Sequence, residues 1–149
     1  MKPESHTITD HRFFTSGNAL FTVSNPKGDH YTFKIRQKKD KDGIPSPFFV
    51  SMLTGPDNWA NYTYIGILNE FKFQMYTTAK SKMNMESIPV RVFNWALSIT
   101  KNKLTNEMPE GYDIIHEGKC CRCGRLLTVP ESVKSGIGPE CVKYWNEGK

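Results

Sequence analysis

Residues 31–36 alternate strictly, with Tyr31, Phe33 and Ile35 set against Thr32, Lys34 and Arg36. That is the period-two signature of a half-buried strand. Ala19–Val23 supplies a partner, joined through Asn25-Pro26-Lys27-Gly28-Asp29, a stretch of turn formers. A third apolar run, Phe48–Leu53, ends at the turn residues Thr54-Gly55-Pro56-Asp57-Asn58. Tyr62–Leu68 and Phe71–Thr77 then predict a hairpin around Asn69-Glu70. Its register matters, because a slip of one residue exchanges the two faces. A two-residue loop sets Tyr64 opposite Met75. A loop one residue longer pairs Ile65 and Ile67 with Phe73 and Phe71, leaving Tyr62, Tyr64, Lys72, Gln74 and Tyr76 on the other face. The longer loop separates aliphatic from polar positions more cleanly and is the preferred reading.

The period changes after Ser87. Val92, Phe93, Ala96, Leu97 and Thr100 recur at helical spacing. Ser87 suits an N-cap, Pro89 fits the first turn, and Lys101 and Lys103 suit the C-terminal end of the helix dipole. Leu104–Glu110 reads as a polar connector. The expected architecture is α+β: a β-rich domain over 1–104, with a small antiparallel sheet and one helix at about 88–103, followed by a second unit over 111–149 that either packs on the sheet or swings on the connector.

Cysteines change the picture of that second unit. Cys120, Cys121, Cys123 and Cys141 crowd one corner of the chain, whereas disulfide frameworks tie distant parts of secreted chains together. The N-terminal MKPESHTITDHR lacks the apolar stretch of a secretory signal, and no uncharged run is long enough to span a bilayer. A cytoplasmic protein with a metal site is the expectation, and Zn2+ is the natural ion for such ligands. Cys120 and Cys123 have knuckle spacing, and Gly124 permits the tight turn after them. Gly138-Pro139 reads as a helix start that places Cys141 in the first turn. His116 is the preferred fourth ligand, with Cys121 the competitor. A knuckle, a hairpin and a ligand at a helix start resemble the treble-clef arrangement of zinc units.

The segment G-K-C-C-R-C-G-R-L-L-T-V-P-E-S-V-K-S-G-I-G-P-E-C resembles a small zinc-binding domain of unknown function that recurs in bacteriophage and bacterial proteins. Its pattern is C-x-x-C-G-R-x-L-T-x-P-x-S followed by G-I-G-P-x-C, and the likeness covers roughly residues 113–145. The run F-F-V-S-M-L-T-G-P-D-N, with Y-T-Y-I-G after it, is more loosely similar to regions accompanying that domain in phage proteins. The resemblance implies zinc ligands and a phage setting, hence the cytoplasm of a host cell, but no reaction.

No nucleophile elbow, phosphate loop or deaminase signature occurs, so no enzymatic role is expected. Three thiolates and a histidine would close the coordination shell, as structural zinc sites do. Net charge is +5, concentrated around Lys34, Arg36, Lys38, Lys39 and Lys41. One reading is therefore a nucleic-acid binder: Lys34, Arg36, Lys38 and Lys39 on phosphates, tyrosines for stacking, and Arg122 and Arg125 beside the knuckle. Against it, the aromatics within 31–36 alternate away from the basic residues, and a binding platform needs both on one face. The other reading is a module that binds and modulates a host protein, such as a defence component, through Trp59, Tyr62 and Tyr64. Neither a membrane nor a small-molecule substrate is indicated.

Overall fold

The structure is a computed structural model; it describes residues 6–37, 47–55, 61–102 and 109–147. Among the described residues six antiparallel strands form one sheet: β1 (Asn18–Ser24), β2 (His30–Gln37), β3 (Phe48–Leu53), β4 (Tyr62–Asn69), β5 (Gln74–Tyr76) and β6 (Asp113–His116). Their order is β5-β4-β3-β2-β1-β6. A short 3-10 helix (His11–Thr15) and α1 (Ile88–Lys101) cover the apolar face, and α2 (Pro130–Ser135) and α3 (Val142–Glu147) follow β6.

Alternation sorts the two faces as the sequence predicts. Phe21 pairs with Phe33, and Ala19 with Ile35 and then Val50. All five are fully buried. Phe93 of α1 inserts between the Phe21 and Phe33 rings at 5.9 and 5.2 Å, while Phe14 of the 3-10 helix meets Phe21 at 4.9 Å. Each such ring contributes on the order of 2–3 kcal/mol by leaving water. Val90, Phe93, Ala96, Leu97 and Thr100 form the buried stripe of α1, and Pro89 lies in its first turn. Ser87 occupies the N-cap position without capping; its Oγ instead accepts from the Asn84 N–H at 3.1 Å.

The β4–β5 hairpin adopts neither register weighed from the sequence. Asn69 pairs with Gln74, Leu68 with Met75 and Ile67 with Tyr76, so the turn spans Glu70–Phe73. Asn69 Oδ1 accepts from the N–H groups of Phe71 and Lys72, both at 3.0 Å, which winds the chain before β5 begins. Phe73 takes a left-handed φ of 54°. Its ring turns inward, leaving Phe71 92% exposed. A β-bulge between β3 and β4, at Val50/Ser51, resets the alternation a second time. It buries both Ile65 and Leu68, a pairing that a regular strand cannot produce.

The sheet crosses the expected domain boundary. β6, within the segment assigned to the second unit, pairs with β1 from Phe21↔His116 to Ser24↔Asp113. The cysteine unit is thereby built onto the sheet. Cys121 O accepts from the Asn18 N–H at 2.7 Å, Trp145 Nε1 donates to Ser16 Oγ at 2.8 Å, and Arg12 lies over the Trp145 ring. Among the described residues no helix is long and apolar enough to cross a membrane.

Candidate functional site

Cys120, Cys123 and Cys141 converge, with sulfurs within 4.8 Å of one another, close enough to hold a metal ion. Local backbone geometry explains the convergence. Lys119 and Leu126 form an isolated antiparallel bridge, and Cys120 N–H donates to Arg125 O at 2.8 Å, folding residues 119–126 into a knuckle. Gly124 closes it at φ 80°, where a Cβ would lie 2.7 Å from Asn18 Nδ2. The N–H groups of Arg122, Cys123 and Gly138 point at Cys120 Sγ from 3.4, 3.4 and 3.2 Å. Burial pushes the Cys120 thiol up, but these donors outweigh it and bring it below the usual thiol value. Cys141, pushed up by its own burial and by its cysteine neighbours, receives an N–H from Arg122 at 3.8 Å.

The rest of the motif holds these groups in place. A helix, α2, stands where a hairpin was expected, opened by Pro130 in its first turn and ended by Gly136 at φ 83°. A Cβ on Gly136 would meet the Phe13 ring at 2.8 Å. Ile137 is buried, and the next N–H, that of Gly138, is the one that reaches Cys120. Helix α3 begins at Val142, so Cys141 sits just before it rather than inside its first turn.

The structure does not bring His116 to the cysteines. Its ring is fully buried against Phe13 and His6. Nε2 lies 2.6 Å from Val133 O and must donate to it, while Nδ1 accepts from the Gly118 N–H at 2.9 Å. Both nitrogens are thus committed to the backbone, and His116 serves as a neutral brace between β6 and α2. Cys121 is also elsewhere: its thiol is buried toward Ser16, and burial pushes it up to about 12.

Beside the knuckle lies the second candidate surface, the polar face of the sheet. Its rungs run Leu20, Lys34, Ser51, Tyr64 and Asn18, Arg36, Phe49, Ile67 across β1 to β4. Lys34, Arg36, Tyr62 and Tyr64 therefore share one face, an arrangement the alternation of β2 alone argued against. The bulge in β4 is the cause, because it keeps both tyrosines on this side while Leu68 stays inside. Lys34 Nζ sits 4.1 Å from the Tyr62 ring centroid. A cleft of about 520 Å³ opens here, lined by Lys34, Arg36, Tyr62, Glu117, Lys119 and Gly124 among others. Partial burial and the charges of Arg36 and Lys119 press the Lys34 ammonium below its usual value, and burial and Glu117 raise Tyr62. Thr22 Oγ1 holds Glu117 at 2.7 Å.

Other predicted residues fall elsewhere. Arg122 stacks over Tyr144 at 3.4 Å and Arg125 is exposed, both bordering the cysteines. Lys38, Lys39 and Trp59 lie outside the described residues. Glu117 lines the cleft and Phe49 lies on the same sheet face beside Tyr64, and neither was singled out from the sequence; Phe49 hides in a strand apolar on both faces, whereas Glu117 could be read only from its place beside His116. No curated protein and no solved structure matches the chain. Residues 116–146, from the brace histidine through Cys141 to α3, match a family of unknown function, DUF6011.

Proposed function

We propose that the chain is a non-enzymatic, zinc-stapled protein that binds nucleic acid on the polar face of its sheet. Cys120, Cys123 and Cys141 are the residues that would hold Zn2+, a thiolate set suited to a borderline-soft ion. Three N–H groups aimed at Cys120 Sγ fit an anionic sulfur. Bound there, the ion would supply a cross-link, not a reaction: it would pin the knuckle to the turn before α3. The treble-clef comparison and a phage setting belong to the same proposal and rest on the motif around Cys120–Cys141.

One observation carries the binding reading. Cations and aromatic rings lie on a single open face, with Lys34 and Arg36 on β2 beside Tyr62 and Tyr64 on β4. Phosphates take the cations, and unstacked bases take the rings. The tyrosines that the protein-partner reading would use as anchors are thus among the cations, which favours a polyanion over an apolar partner surface.

The test is the affinity of the zinc-loaded chain for labelled oligonucleotides across a salt series. We expect log affinity to fall linearly with log salt, and the slope to flatten by roughly one to two when Lys34 and Arg36 are both changed to alanine. An absence of binding at low salt, or an unaltered slope in that variant, would overturn the reading.

A further inference from the structure

The cleft on the sheet is not built by the sheet alone. Lys119 and Gly124 form part of its wall, and each is the chain neighbour of a cysteine in the cluster: Lys119 precedes Cys120 and Gly124 follows Cys123. The wall is fastened to the floor at two points. Asn18 of β1, itself a lining residue, donates its N–H to Cys121 O at 2.7 Å. Its side-chain amide sits against Gly124, so close that a Cβ there would lie 2.7 Å away. Fixing the knuckle around an ion therefore fixes Lys119 opposite Lys34 and Arg36.

The cleft is also recessed. A duplex is read by an element that projects into its groove, whereas here Tyr62 of the sheet face and Lys119 and Gly124 of the knuckle line one cleft. A single strand can lower a base onto a tyrosine while its phosphates reach the flanking cations.

We propose that the cleft between the sheet and the knuckle is a single-strand site, and that strand and metal bind it cooperatively because Lys119 and Gly124 belong to both. This rests on the nucleic-acid and zinc readings above and adds to them a ligand form and a thermodynamic coupling. By linkage, if the ion tightens strand binding by some factor, the strand tightens ion binding by the same factor.

The experiment uses the full chain and one unstructured fluorescein-labelled oligonucleotide, free or annealed to its complement. Strand affinity is read by anisotropy. Zinc affinity is read by competition with a chromophoric chelator, with and without saturating unlabelled strand. The expected result is that the strand binds about tenfold or more tightly than the duplex, and that it raises zinc affinity at least about fivefold, the lower end of ordinary coupling. Lys119→Ala should weaken strand binding while retaining bound zinc. Lys34→Ala, remote in sequence from the cysteines, should do the same and serves as a second probe if Lys119→Ala misfolds. Preference for the duplex, or a zinc affinity that does not move when the strand binds, would overturn the inference while leaving the nucleic-acid reading in place. Binding of neither form at low salt would take down both.

Discussion

The four cysteines look alike in sequence and are separated by what surrounds each sulfur. Cys120 gathers three backbone N–H groups, Cys141 faces Arg122, and Cys123 stands at the surface. Cys121, one residue from Cys120, points the other way into the core, where burial pushes its thiol up to about 12. Cys123→Ser and Cys141→Ser should therefore lose stoichiometric zinc, while Cys121→Ala should keep it and cost only about 1–2 kcal/mol for the small cavity. Metal analysis alongside thermal melts of the three variants decides this; zinc lost from Cys121→Ala would reassign the ligand set. A second residue-scale test concerns Asp10, which caps the 3-10 helix and grips Arg12 at 2.7 Å. Partial burial raises its carboxyl, but the Arg12 hydrogen bonds and charge outweigh this and hold it below its ordinary value. A depressed carboxyl stabilises the fold above the unfolded value, near pH 4, and loses that contribution as pH falls through the folded one. Asp10→Asn should thus cost a little, below about 1 kcal/mol for so exposed a pair, at pH 7. Urea titrations should show that difference shrinking toward pH 2.

Among the elements, β5 is the edge of the sheet, and α1 closes it in an unusual way. Asn94 Oδ1 accepts from the Met75 N–H at 2.7 Å, and Asn94 Nδ2 donates to Met75 O at 3.2 Å. One side-chain amide thus replaces the neighbouring strand that an open edge would recruit. Asn94→Ala should destabilise the chain by about 1–3 kcal/mol, through two backbone groups left without partners. It should also raise concentration-dependent association, visible by light scattering; a variant as stable and monodisperse as the parent would refute the role. Asn94 also shows where sequence reading stops. β2 and α1 were legible because burial on one face imposes a period, two or 3.6, on the order of residues, and β1 and β3 as apolar runs bounded by turn formers. The β4–β5 register was not, since it depends on the Asn69 side chain winding the turn over Glu70–Phe73. Strict alternation places Ile65 and Ile67 together; the bulge instead buries Ile65 with Leu68 and leaves Tyr62 and Tyr64 among the cations.

At the scale of the whole molecule, three of the four expected ligands, Cys120, Cys123 and Cys141, come together as their spacing implies, whereas His116 does not. Spacing along the chain measures reach, not orientation, and His116 lies in β6 with its ring held by Val133 and Gly118. The same strand joins the two expected units through one sheet. β6 pairs with β1, Cys121 O is held by Asn18, and Trp145 is held by Ser16 and Arg12. Loss of metal should consequently be felt in the sheet. An ion present at a thousand times its dissociation constant stabilises the folded state by about 4 kcal/mol. For a chain of this length each kcal/mol shifts the midpoint by roughly 2–4 °C, so chelation should lower Tm by roughly 10 °C. The transition should stay single, with signals from sheet and cysteine unit superimposing. Hydrogen exchange makes the test local: in the metal-free chain the amides of β1, Phe21 and Thr22 among them, should exchange faster along with those of β6. If β1 kept its full protection while residues 116–146 opened, the cysteine unit would be an appendage, and its knuckle could not set the shape of the cleft beside it.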